Sequence, residues 1–179
     1  MEKGIKIAIS GKGGVGKTTT SAFLIRVLSK DYNILAVDAD SNSNLAYALG
    51  IPEPEKITPI IEMKELIEER MDTKLETVGT YFKLNPKVDD IPEKYSIKFD
   101  NGRLIIMGSI KKGGKGCACP ENTFVKSLVS HLVLNRDEIV IMDMEAGMEH
   151  LGRGTANSVD ILIIVTDPSI VSINTAIKI

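Results

Sequence analysis

The sequence predicts an α/β fold, a doubly wound and mainly parallel sheet, and three observations point there. Strand-length apolar runs recur at 5–10, 33–38, 103–107, 138–143 and 160–166. Nearly all of them are almost unbroken hydrophobics, as in strands buried on both faces beneath covering helices. Stretches long enough for amphipathic helices separate them. A chain of 179 residues buries a sizeable core, so the expected organisation is one domain over 1–179.

In chain order, "IKIAIS" (Ile5 to Ser10) opens the sheet and a helix is expected over 17–30. Strand 33–38 leads to a short helix over 42–49 and a longer one over 59–71. Residues 73–102 read as a polar, proline-dotted insertion that ends in a hairpin. There Asn101-Gly102, between "YSIKF" and "RLIIM", is a strong turn signal. Further helices are expected over 121–134 and 150–158. Asp167, Pro168 and Ser169 look like a helix start, but "IVSINTAIKI" reaches Ile179 without a glycine or proline stop, so the chain is expected to be truncated at its C-terminus.

Composition excludes several functions. With 22 basic and 24 acidic residues the formal charge is −2, and no overall positive field exists to gather nucleic acid or an anionic membrane. Neither is expected as a partner. The longest apolar runs, such as "ILIIV", are too short to span a bilayer, and the N-terminus enters a strand without a leader, so a cytoplasmic location is expected.

"GKGGVGKTTT" (Gly11 to Thr20) carries the chemistry. Gly11, Gly16, Lys17 and Thr18 fit G-x-x-x-x-G-K-[ST], between a strand and a helix as the mechanism requires. Gly11, Gly13, Gly14, Val15 and Gly16 allow a backbone curl whose N–H groups face phosphate oxygens, aided by the positive end of the helix. Lys17 is expected on the β- and γ-phosphates, Thr18 on Mg²⁺ and Thr19 on the α-phosphate, with ATP or ADP as the ligand. Lys12 has no task in that scheme. A partner across a two-fold axis could use it; the plain alternative is a solvated loop lysine.

"VDAD" places Asp38 and Asp40 at the carboxyl end of the second strand, where ligands bind in open α/β sheets. Phosphoryl transfer needs an oriented water and neutralised charge, which suits one acid near the metal's waters and one near the γ-phosphate. Asp40 has an alternative as a cap on the following helix. Asp143 ends a buried apolar strand, as in a Walker B element, and is expected to reach Mg²⁺ through water. Gly147 offers a flexible backbone that could sense the γ-phosphate.

Both cysteines, Cys117 and Cys119, fall in "KKGGKGCACPEN", too close together for a disulfide staple. Neighbouring lysines and the start of a helix favour thiolates. The pair supplies two soft ligands, half of a tetrahedral nickel or zinc site, and a homodimer supplies the other half. Two buried small hydrophobes are the alternative, disfavoured by a glycine- and lysine-rich loop. His131 and His150 fall in expected helices and read as packing or capping residues. Met142, Met144 and Met148 read as core and loop.

"KGGVGKTT" resembles the deviant Walker A loop of the Min, Par and nitrogenase-iron-protein superfamily of P-loop NTPases. With "VDAD", "GCACPEN" and "DMEAGMEHLGRGTA", the chain resembles the CooC-type nickel-insertion ATPases that mature carbon monoxide dehydrogenase. The resemblance implies a homodimer in which Lys12 reaches the opposite subunit's nucleotide and acts with Lys17 and Asp40 in catalysis. Asp40 would orient or activate water, while Asp38 and Asp143 join Thr18 in the magnesium shell. It also implies nickel delivery to apo carbon monoxide dehydrogenase or acetyl-CoA synthase, and adenine recognition by an Asn-Lys element beyond Ile179. Two rivals stand beside it. A Min- or Par-type positioning ATPase would need a basic or amphipathic targeting segment, and an iron–sulfur reductase usually takes cysteines from two separate segments.

Overall fold

The apolar runs form one six-stranded sheet: β1 (Lys6–Gly11), β2 (Ile34–Ala39), β3 (Ile97–Phe99), β4 (Gly102–Ile106), β5 (Ile139–Met144) and β6 (Ile161–Val165). Strand order is β3-β4-β2-β5-β1-β6, and every pairing is parallel except β3 with β4. The helices are α1 (Lys17–Leu28), α2 (Leu45–Leu49), α3 (Lys64–Met71), α4 (Ile91–Tyr95), α5 (Pro120–Leu134) and α6 (Ile170–Lys178). The structure, a computed structural model, describes residues 4–75, 81–108, 119–134, 138–144 and 159–178. The helix expected over 150–158 lies outside them.

Alternation along the central strands fills two cores. Ile7, Ile9, Ala36 and Ile141 pack on one face with Ala22 and Ile25 of α1 and Leu45 of α2. Ala8, Val37, Val140 and Met142 pack on the other with Ile67 of α3 and Phe124 and Leu128 of α5. Successive side chains therefore both meet apolar cover, so these strands read as hydrophobic throughout. Each large side chain so buried contributes about 1.5–3 kcal/mol. No described helix is long and apolar enough to cross a membrane.

Four local expectations change. The helix expected over 59–71 divides into a 3-10 turn, Ile60–Glu62, and α3, because the Ile61 amide donates to Met107 O (3.1 Å) beyond β4 instead of continuing a helix. The helix expected from residue 42 starts at Leu45, because residues 40–43 form a turn with the Ser43 amide on Asp40 O (3.1 Å). The hairpin turn is one residue earlier than the Asn-Gly signal suggests. Phe99 pairs with Gly102, leaving Asp100-Asn101 as the turn, and a Cβ at Gly102 would lie 2.5 Å from the Phe99 ring. Finally, β6 is apolar yet among the described residues pairs only with β1, at the sheet edge, leaving Ile161, Leu162 and Ile164 exposed. The expected helix start after β6 does form: Asp167 Oδ1 accepts from the Ser169 amide (2.8 Å) and Ser169 Oγ accepts from the Ser172 amide (3.2 Å).

Candidate nucleotide-binding site

The carboxyl ends of β1, β2 and β5 bring the glycine loop and the acids to one edge of the sheet. Gly11 ends β1 opposite Val165, with φ +148°, and a Cβ there would lie 2.1 Å from the Val165 carbonyl oxygen. Only glycine lets the chain leave the sheet at this point. The loop then returns through Gly16, at φ 95°, into α1. No side chain caps α1 and no acidic residue occupies its first turn. Its leading N–H groups and positive dipole end therefore lack compensation, which is the condition for holding an anion. Gly13, Gly14 and Thr19 are exposed, Val15 and Thr18 half-buried.

Lys17 turns back over this loop. Only 6% of it is exposed, and its ammonium makes a long hydrogen bond to Lys12 O (3.4 Å) and stands 3.8 Å from Asp40 Oδ2. Asp40 Oδ1 accepts from the Asn42 backbone amide (2.9 Å) and from Asn42 Nδ2 (3.2 Å), which fixes the carboxylate toward Lys17. Asp40 does not cap α2. That task falls to Asp38, whose Oδ2 accepts from the Leu45 amide (2.9 Å) and whose Oδ1 accepts from the Asp40 amide (3.2 Å). A backbone job for Asp38 is invisible in the motif, because it depends on where residue 45 returns.

Asp38 and Asp143 are partners in register on β2 and β5, and both are fully buried. Burial pushes the Asp38 carboxyl up to about 7; the Leu45 amide opposes this and Asp143 reinforces it. Burial also raises Asp143, against the nearby Thr18 and Ser21 hydroxyls. Those hydroxyls lie close without completing a hydrogen bond, and neither Asp143 oxygen has a partner. An orphaned buried carboxylate is costly unless a cation or a metal-bound water answers it, so the residues present fit magnesium. Among the described residues no three His, Cys, Asp or Glu side chains gather closely enough to ligate a metal directly. Thr18 and phosphate oxygens would hold the ion, with the acids reaching it through water.

Lys12 directly follows the last residue of β1 and is half-buried. The Gly11–Val165 pairing brings it beside residues 166–167, and Ser169 and, to a smaller extent, Lys12 hold Asp167 below the usual carboxylate range. The sequence marks Asp167 only as part of a helix start, with no link to Lys12. Cys119 is half-buried immediately before α5, its carbonyl accepting from the Thr123 amide (3.1 Å). Cys117, Gly147, Met148 and His150 lie outside the described residues. His131 is half-buried on α5, and Met142 and Met144 are core, as expected. A concavity of about 900 Å³ around Tyr32, Arg103 and Glu138 lies at the amino ends of β2, β4 and β5 and contains none of these groups.

A family model for the CobQ/CobB/MinD/ParA nucleotide binding domain matches residues 6–168. The chain is 46% identical, over 98% of its length and 67% of the relative's, to the carbon monoxide dehydrogenase accessory protein CooC of Rhodospirillum rubrum. It is 47% identical to an uncharacterized ATP-binding protein of Methanocaldococcus jannaschii, over 96% of this chain and 66% of that one. It thus spans about two thirds of the length of these curated relatives. In fold it is similar to the septum site-determining protein MinD of Pyrococcus horikoshii complexed with Mg-ADP, with TM-score 0.59 and 18% identity over 99% of this chain and 63% of that one. A family match running from β1 past the end of β6, joined to near-half identity along almost the whole chain, leads to one conclusion: this protein belongs to the CobQ/CobB/MinD/ParA nucleotide-binding family and, within it, to the CooC-type deviant P-loop ATPases.

Proposed function

We propose that this chain binds and hydrolyses ATP, pairs as a homodimer when nucleotide and metal bind, and delivers nickel to apo carbon monoxide dehydrogenase or acetyl-CoA synthase. The observation that carries the proposal is the 46% identity to a carbon monoxide dehydrogenase accessory protein across 98% of the chain. The uncapped start of α1 and the buried Lys17 support the nucleotide half of it.

In this reading the loop amides and Lys17 hold the β- and γ-phosphates, and Thr19 meets the α-phosphate. Asp40, held by Asn42 and facing Lys17, orients the attacking water. Asp38 and Asp143 hold waters around the ion, Gly147 senses the γ-phosphate, and Lys12 crosses to the opposite subunit's nucleotide. Magnesium, when bound, supplies charge neutralisation on the transferred phosphoryl group. Nickel or zinc is cargo: Cys117 and Cys119 of two subunits supply four sulfurs to one ion.

Metal titration with ADP, with ATP and with neither, read as mass and metal ratio, tests the proposal. One ion per dimer is expected. Cys117→Ser and Cys119→Ser should each lose it, and unchanged metal content in both variants refutes the cargo site.

A further inference from the structure

Ser21 is a buried hydroxyl that the nucleotide reading leaves without a task. It lies one turn beyond Lys17 on α1, is 0% exposed, and its Oγ has no hydrogen-bond partner. Buried serines are seldom left in that condition. Asp143, close enough to feel this hydroxyl, is its complement: equally buried, with both carboxylate oxygens unpartnered. Its backbone is locked between Ile9 of β1 and Asp38 of β2, so only its side-chain torsions remain free.

Thr18 and Ser21 stand three residues apart and so share one face of α1. Both hydroxyls sit close enough to Asp143 to favour its ionised form, without closing a hydrogen bond to it. Two donors on one helix face meet two orphaned oxygens.

We propose that Ser21 is a positioning residue for Asp143: its Oγ–H donates to one carboxylate oxygen and Thr18 to the other, turning the carboxylate toward the waters of a magnesium–nucleotide. The inference rests on the nucleotide reading above. Neither hydroxyl bond is complete without ligand, so a small rotation of Asp143 toward the ion closes the clamp. A carboxylate oxygen that accepts one hydroxyl retains a lone pair for water.

Ser21→Ala separates this role from packing. Removing a hydroxyl that donates to nothing leaves the ligand-free melting temperature unchanged or slightly higher. In the full chain, magnesium titrated against a fluorescent ADP analogue should show an apparent affinity about tenfold weaker in Ser21→Ala, the loss typical when a group that orients a metal's ligand is removed. Turnover should fall while KM for ATP holds. Ser21→Cys, near-isosteric with a weak donor, should fall between the two, and it carries the test if the alanine variant folds poorly. Magnesium curves that superimpose on the wild type overturn this inference alone. A wild-type protein whose nucleotide binding ignores magnesium overturns the nucleotide reading and this inference with it.

Discussion

Acidification should stabilise the ligand-free protein across the neutral range, in the direction opposite to ordinary acid unfolding. The Asp38 carboxyl is raised from 3.8 to about 7, chiefly by burial, while in an unfolded chain it titrates near about 3.9. Between those values the folded protein keeps a proton that the unfolded chain has released, so unfolding free energy falls as pH rises. The contribution is complete below the unfolded value and is lost as pH climbs through about 7. At 1.36 kcal/mol per pH unit the displacement corresponds to about 4 kcal/mol for this one carboxyl. Asp143 is raised too and acts with the same sign. Asp90, Glu68 and Asp167 are lowered, so their stabilisation fades only in more acidic solution. The assay is urea unfolding in chelator at pH about 8 and about 5, for wild type and Asp38→Asn, whose carboxamide cannot ionise. Between those two pH values, which span about two of the three units of displacement, wild type should gain about 2.7 kcal/mol more than the variant. Parallel pH dependences in the two proteins refute the reasoning, because they would mean that Asp38 titrates normally.

Gly11→Ala sets a Cβ 2.1 Å from a carbonyl that belongs to a paired strand, at a φ of +148° that side chains avoid. The cost should be about 3 kcal/mol, or roughly 6–12 °C in Tm for a domain of this size, and an unchanged calorimetric Tm would contradict the close approach of β1 to β6. Lys12→Ala should still bind ATP, since Lys17 holds the near side, but fail to dimerise and lose about 10³ in turnover if its ammonium serves the neighbouring nucleotide. Sedimentation with a non-hydrolysable analogue reads the first effect and phosphate release the second; normal turnover defeats the cross-subunit role.

The strands of the sheet were legible, though not their order, because doubly covered strands display their pattern directly in the sequence. Runs such as "ILAVDA" and "IVIMDM" are apolar at every position until an aspartate, which announces both a doubly covered strand and its carboxyl end. The glycine loop was legible for the same reason, since strand, turn and helix are contiguous there. Departures occur where a distant backbone group decides. Ile61 leaves the helical pattern for Met107 O, and Gly102 is in β4 because Phe99 covers it, neither of which a local window contains. Within the site, Lys17 and Asp40 are each marked by a motif, but their approach to 3.8 Å depends on how β1 and β2 lie in the sheet. Asp38's hold on Leu45 and Ser21's approach to Asp143 depend on how α1 and α2 lie on the sheet. Ser21 does leave a faint trace, a hydroxyl one turn after Lys17 on a face otherwise made of Ala22 and Ile25.

Three acids at one end of the sheet raise the question of how the ligand-free fold tolerates them, and each is handled differently. Asp38 gives its oxygens to two backbone amides and takes up a proton more readily than usual. Asp40 faces Lys17 and binds its own turn through Asn42. Asp143 alone has no partner for either oxygen. A few residues away, the start of α1 presents uncapped amides with no acid in the first turn. The edge therefore lacks a cation at Asp143 and an anion at the loop, a short distance apart. A bare nucleotide would satisfy the amides while adding negative charge near Asp143, and a bare cation would do the reverse. A metal–nucleotide would answer both deficits in one binding event, which supports the proposal that this end of the sheet takes the complex and not either component alone.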